Sequence, residues 1–453
     1  MAALGLTIPG AGGGTLVFSV KGESLGNEVT AFSAAVAGAT VVEPTGSTIQ
    51  GPRGGLGNVA TATTINEIFS SSSSPTAYTI GGGGQYTAVL TSVPTTITGS
   101  TAGGDTLVAA SNVTYDAVGG NNNIALMYGE NVYNGGSASG DTVAGSEGSD
   151  TINTGTGATT VFSGYGTSNI VLNDTVTAGD FAFLGDGHAL VTANGLNDTV
   201  WAAVSGQRIF GSDTVASSAK LTVIVASKTG NPGFTGNDFI VGGSAQLTVL
   251  DSIGGNTIFG GSGALTFVGE QRPSLVVADS IFAGTGGATV YGGDENSLTI
   301  GSAASDPVAH VFAGLGNETL NGAFADGGVN FFLANSTGQA TAPNPAINDT
   351  AIGGNGANYF STGSGNESLV AGAGTNWFDI NLGGPSAQIT ISDFAQNNNN
   401  IINLVGENSA QIAAAEQTAH LDSNGNLQLT LSDNTTVTFV GINSLGQISN
   451  HII

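Results

Sequence analysis

The chain has no cysteine, which excludes a disulfide framework and any thiolate metal site and leaves packing and hydrogen bonding to hold the fold. Positive charge is nearly as scarce: six Lys and Arg stand against 32 Asp and Glu, for a formal net charge of -26. No basic residue follows Arg272, although fourteen acidic ones do. Nucleic acid and anionic membrane surfaces need clustered Lys and Arg, so neither is expected as a partner, whereas cations suit this balance. Long apolar runs are missing too, and no stretch approaches the ~20 residues of a transmembrane span. The opening MAALGLTIPGAGGG lacks the charged and apolar segments of a secretory signal peptide, so any export is expected to use another route.

What the chain has instead is glycine, 74 residues of 453. At about 1 kcal/mol per helical glycine relative to alanine, that density argues against packed helices. Hydrophobic residues still make up 40%, and Val, Ile, Leu and Phe recur in short runs, so a continuous core is available and the chain reads as mostly β. The glycines are periodic. Residues 353–379 divide into three nines, GGNGANYFS, TGSGNESLV and AGAGTNWFD; residues 145–171 and 233–268 divide the same way, and single units stand at 283–291 and 313–321.

A unit of nine supplies a glycine-rich turn and a short strand with alternate residues facing inward. The eighth column holds Ile152, Val161, Ile170, Ile240, Val249, Ile258, Phe267, Phe360, Leu369 and Phe378, which places large apolar side chains in the interior. Two units make a coil of about 18 residues, and stacked coils bury that row while parallel ladders satisfy the backbone. The expected fold is therefore all-β: a parallel β-roll or β-helix solenoid over residues 101–384. Around it stand an irregular β-rich cap or assembly region over 1–100 and a β-rich C-terminal region over 385–453. In the first region TLVFSV (15–20) and AYTI (77–80) read as strands, 27–38 as a short helix and SSSSSP (70–75) as a turn. Spacing slips at 269–282 and at QATAPNPAIN (339–348), which read as enlarged turns. Toward the C-terminus, 408–421 reads as helical and NLQLTLSDNTTVTFVGI as a hairpin turning at Ser432 to Asn434.

The nines resemble the glycine-rich repeat of the repeats-in-toxin (RTX) family, G-G-x-G-x-D-x-U-x. The segment ITISDF…IINLVG…LQLTLSDNTTVTFVGI is similar to the C-terminal region of such proteins, an uncleaved signal for type I export. The resemblance implies an extracellular location, the type I secretion machinery as a partner, and Ca²⁺ held by the sixth-column Asp together with turn carbonyls. In this chain the sixth column reads Asp150, Thr159, Ser168, Asp238, Leu247, Asn256, Leu265, Glu318, Asn358, Glu367 and Asn376. The candidate metal residues are thus Asp150, Asp238, Glu318 and Glu367; the other reading of these four is acidic turn residues that merely cap glycine turns. Residues 18 apart should stack, Asp238 under Asn256, Leu247 under Leu265 and Asn358 under Asn376, the last pair as an amide ladder.

No catalytic or cofactor-binding constellation emerges. GESLG (22–26) has the form of a nucleophile elbow around Ser24, but it lies at the start of a β-rich chain without the strand and helices that motif needs. The four His, at 188, 310, 420 and 451, are scattered, so zinc is unsupported. A polysaccharide lyase would need basic residues, and the solenoid has only Arg208, Lys220, Lys228 and Arg272. The N-D-T, N-E-T and N-E-S triplets at Asn173, Asn197, Asn317, Asn348 and Asn366 read as turns entering strands, with Asp and Asn accepting local backbone hydrogen bonds. The function expected is a non-enzymatic extracellular structural protein that assembles with itself into a fibre, surface layer or biofilm matrix. The alternative is an adhesin or carbohydrate-binding module using aromatics such as Tyr128, Tyr133, Trp201 or Trp377.

Overall fold

The computed structural model describes residues 4–9, 15–20, 40–41, 64–70, 76–84 and 86–91, and from 93 onward all but 186, 203–206, 212–219, 226–237, 252–254, 270–278, 293–296, 315–316, 334–347, 364 and 383–386. The helix expected over 27–38, Ser24, most of the turn at 70–75 and most of the 339–348 insertion lie outside the described residues. The protein is nearly all β, a parallel solenoid of about 13 turns with about 20 residues per turn. That average exceeds the 18 of two uninterrupted nines because some turns are enlarged: Thr160 pairs with Phe181, 21 residues on, where Phe181 pairs with Thr199, 18 on.

The chain forms two compact units, 1–224 and 225–453. In the first, Leu4–Pro9 and Thr15–Val20 make an antiparallel hairpin. Thereafter each coil contributes one strand to each of two parallel sheets. One runs from Thr64–Ser70 to Asn197–Ala202 and the other from Thr76–Thr79 to Arg208–Gly211. In the second unit the corresponding sheets run from Gln246–Asp251 to Ile401–Val405 and from Phe239–Val241 to Gln388–Ser392.

All ten eighth-column residues named above are fully buried. They stack coil on coil, as in Ile152 with Ile170 and Ile240 with Ile258. In the second unit the row becomes aromatic, with the rings of Phe331, Phe360 and Phe378 stacked at centroid distances of 5.1 and 4.8 Å. Turns lie as close as the strands: a Cβ on Gly166 would sit 1.8 Å from the carbonyl oxygen of Gly148 one coil away. Only glycine permits that approach. Polar ladders run along the outside as well. The Asn153 amide donates to Asn134 Oδ1 at 2.9 Å, and the Asn134 amide donates to Asp116 Oδ1 at 2.8 Å.

The C-terminal end of the second unit is closed. The hairpin of Leu427–Thr430 and Thr436–Phe439 turns through Asn434 at φ 68°, and its second strand pairs in parallel with Gln388–Ser392. Ile452 bridges Ile402, and the Ile453 N–H donates to the Ile402 carbonyl at 2.9 Å. The helix α1 (Ser409–Gln417) starts at Asn408, whose side chain accepts from the N–H of Gln411 while the Gln411 side chain accepts from the Asn408 N–H. That reciprocal cap is what the N-x-x-Q spacing encodes.

Candidate metal centre

Strand alternation puts the sixth column on the same face as the eighth, because the two are separated by two residues. The structure follows this rule: Asp150, Asp238, Glu318 and Glu367 all point into the coil and are 1–4% exposed. The residues there serve the backbone. The Asp238 N–H donates to Asn256 Oδ1 at 3.0 Å, and the Asn256 N–H donates to Asp279 Oδ1 at 2.8 Å. The Glu318 N–H donates to Asp349 Oδ1 at 3.1 Å, and Gly363 N–H donates to Glu367 Oε1 at 2.6 Å. Asp150 Oδ1 accepts the Asn131 amide at 3.2 Å. Burial pushes the Asp150 carboxyl up to about 7 and that of Glu367 up to about 8.

The expected stacks are all present. Leu247 pairs with Leu265, and Asn358 with Asn376. The amide ladder is longer than the repeats suggested: Asn358 donates to Asn376 at 2.8 Å and Asn376 donates to Asn400 at 3.1 Å.

Among the described residues twelve acidic side chains are buried, while Arg208 and Lys220, the basic residues there, are both exposed. The structure does not gather the four sequence candidates. Among the described residues, the group of three acidic or His side chains that come together is Asp174, Asp180 and Asp198, each offering one oxygen within 4.8 Å of the others. All three are 1–2% exposed.

Asp174 and Asp180 flank the turn that follows the strand Thr167–Leu172, and Asp198 enters the strand Asn197–Ala202 one coil later. Pairing of Phe181 with Thr199 sets Asp180 beside Asp198, and the Asp180 N–H donates to Asp198 Oδ1 at 3.3 Å. Asp198 Oδ2 accepts the Gly195 N–H at 2.9 Å. Asp180 is held more fully: Oδ1 accepts the Thr159 N–H at 2.8 Å, and Oδ2 accepts the Thr154 hydroxyl at 2.5 Å and the Asn173 N–H at 3.1 Å. Asp174 differs from both. Its two carboxylate oxygens are buried and receive no N–H or hydroxyl donor, their nearest partner being the Asp198 carboxyl.

Burial pushes the Asp180 carboxyl up to about 6 despite its donors. Asp198 is held well above the ordinary carboxylate range by burial first, then by the Asp174 carboxylate beside it and the charge of Asp180. Three carboxylates so placed can hold a metal ion, and oxygen ligands of this kind suit hard cations such as Ca²⁺. The signal for two of them was in the sequence: Asp174 and Asp198 are the middle residues of the N-D-T triplets at 173–175 and 197–199. Asp180 lies in a stretch where the nine-residue spacing slips.

The aromatic candidates divide. Tyr133 is fully buried and its hydroxyl donates to Asp141 at 2.5 Å. Trp377 is half-buried, its indole N–H donating to Asp379 at 2.6 Å. Trp201 is 37% exposed and leans on Phe183 at 5.5 Å. No family model, curated protein or solved structure matches this chain.

Proposed function

We propose that this is an extracellular, non-enzymatic structural protein, exported by a type I pathway and associating with copies of itself side by side into a fibre, surface layer or matrix. The observation that carries this reading is an apolar row on the outer face of one sheet of the second unit. Leu250, Val268, Tyr291, Phe312 and Phe332 occupy the same register position on successive coils. Tyr291, Phe312 and Phe332 stack ring on ring at 5.1 and 4.6 Å, and Tyr291 is 43% and Leu250 39% exposed. Stacked in this way, the rings turn their faces to one another and cannot offer them to a pyranose ring. A continuous apolar row instead suits the matching row of a second copy. Closure of the C-terminal end fits lateral packing better than growth by stacking on that end.

Electron microscopy of the purified chain, in calcium and in chelator, tests the reading. Ordered assemblies that disappear in a Tyr291→Ser/Phe312→Ser variant are expected. Monodisperse particles in both conditions would sink it, and glycan binding by such particles would favour an adhesin.

A further inference from the structure

We propose that Asp174, Asp180 and Asp198, none of them among the four acidic residues that the repeat pattern singles out, form a binding site for one divalent cation of calcium size. The site lies within the first unit, and the inference does not depend on assembly.

Neither Asp180 nor Asp198 by itself calls for an ion, since backbone N–H groups already orient both. Asp174 does. A carboxylate 1% exposed that receives no N–H or hydroxyl donor and lies against a second buried carboxyl, that of Asp198, is among the costliest arrangements a fold can hold, unless a positive charge sits against it. Arg208 and Lys220, the basic residues among those described, are both exposed.

Gly195 gives an independent indication. A Cβ at this position would lie 1.9 Å from Asp174 Oδ1 and 2.5 Å from Asp198 Oδ1. Gly195 is absent from the glycines with positive φ, so backbone conformation does not demand glycine there. The close approach of the two carboxylates does.

Size follows from the oxygen spacing. Ca²⁺ binds oxygen at about 2.3–2.6 Å, so ligands on opposite sides of the ion stand roughly 5 Å apart; Mg²⁺, at about 2.0–2.1 Å, demands a tighter octahedron and retains waters. With every pair of oxygens within 4.8 Å, the set stays inside the roughly 5 Å span of calcium ligands. Asp174 and Asp180 come from one coil and Asp198 from the next, so the ion would tie the enlarged turn at 173–180 to the coil that follows.

Isothermal titration of the full chain with calcium chloride, repeated in excess magnesium, tests the site alongside thermal melts in calcium and in chelator. The wild type is expected to show saturable calcium binding that survives magnesium and raises the melting temperature. Asp174→Asn, which removes a ligand charge and supplies an amide donor to Asp198, is expected to lose one calcium equivalent and to melt in chelator no lower than the wild type. Asp150→Asn is expected to keep that equivalent. Should Asp174→Asn fail to fold, Asp198→Asn takes its place. The proposal is overturned by a wild type with no saturable calcium binding, or by a folded variant of either aspartate that keeps the full stoichiometry and affinity.

Discussion

The side-chain amide of Asn358 donates to Oδ1 of Asn376 at 2.8 Å, one coil apart and fully inside the solenoid. Asn376 passes the contact on, its amide and its backbone N–H both donating to Asn400 Oδ1. Each side chain both gives and receives, so a buried column of amides satisfies itself without charge.

Replacing Asn376 with Leu leaves the Asn358 amide with one acceptor fewer and Asn400 Oδ1 with the backbone N–H of position 376 but without its side-chain donor. The expected loss is about 1–3 kcal/mol, two buried side-chain hydrogen bonds at about 0.5–1.5 kcal/mol each. The denaturant midpoint should fall while the circular dichroism of the folded state stays β.

Phe360 lies between Phe331 and Phe378 with all three rings stacked. Truncation to Ala removes two ring contacts and leaves a cavity in a row that the coil ladders prevent from closing. The expected destabilisation is about 3–5 kcal/mol. The Phe360→Leu variant should recover more than half of it in the same melts.

Stability in chelator should fall as pH rises. The Asp150 and Glu367 carboxyls sit at about 7 and about 8 in the fold because burial disfavours their charged forms, above their values of about 4 in an unfolded chain. The folded state therefore holds more protons. The stabilisation is complete below the unfolded value and lost as pH climbs through the folded values, at up to about 1.4 kcal/mol per pH unit for each group. Denaturation midpoints measured from acid to mildly alkaline pH check the sign, and Asp150→Asn with Glu367→Gln should flatten the slope.

Removing residues 432–453 takes away the strand Thr436–Phe439 and the contacts of Ile452 and Ile453 with Ile402. Two strand edges then lose their cover, and unpaired edges recruit other chains. Made in the Tyr291→Ser/Phe312→Ser background, which removes lateral assembly, the truncation should show concentration-dependent association in sedimentation velocity where the untruncated variant sediments as a discrete species.

Much of this architecture is legible without coordinates. The spacing of glycine and of residues such as Ile240, Val249, Ile258 and Phe267 reports a two-residue alternation inside a nine-residue unit, and both periods are local properties of the backbone. The stacking of Asp238 under Asn256 follows by counting 18. The hairpin turn at Asn434 and the cap at Asn408 are equally local. The inward direction of the sixth column was implied by the same alternation, and there Glu367 accepts the Gly363 N–H and Asp150 the Asn131 amide.

The repeat alone determines that this chain coils, what fills the coil and which amides meet. Only the tertiary structure decides where charge collects. Asp174 and Asp180 lie across an enlarged turn, and Asp198 reaches them from another coil through the pairing of Phe181 with Thr199. Register over a turn of irregular length is set by packing of the whole stack, and burial by neighbours far along the chain, so no local pattern could have shown that these three carboxylates meet in the interior.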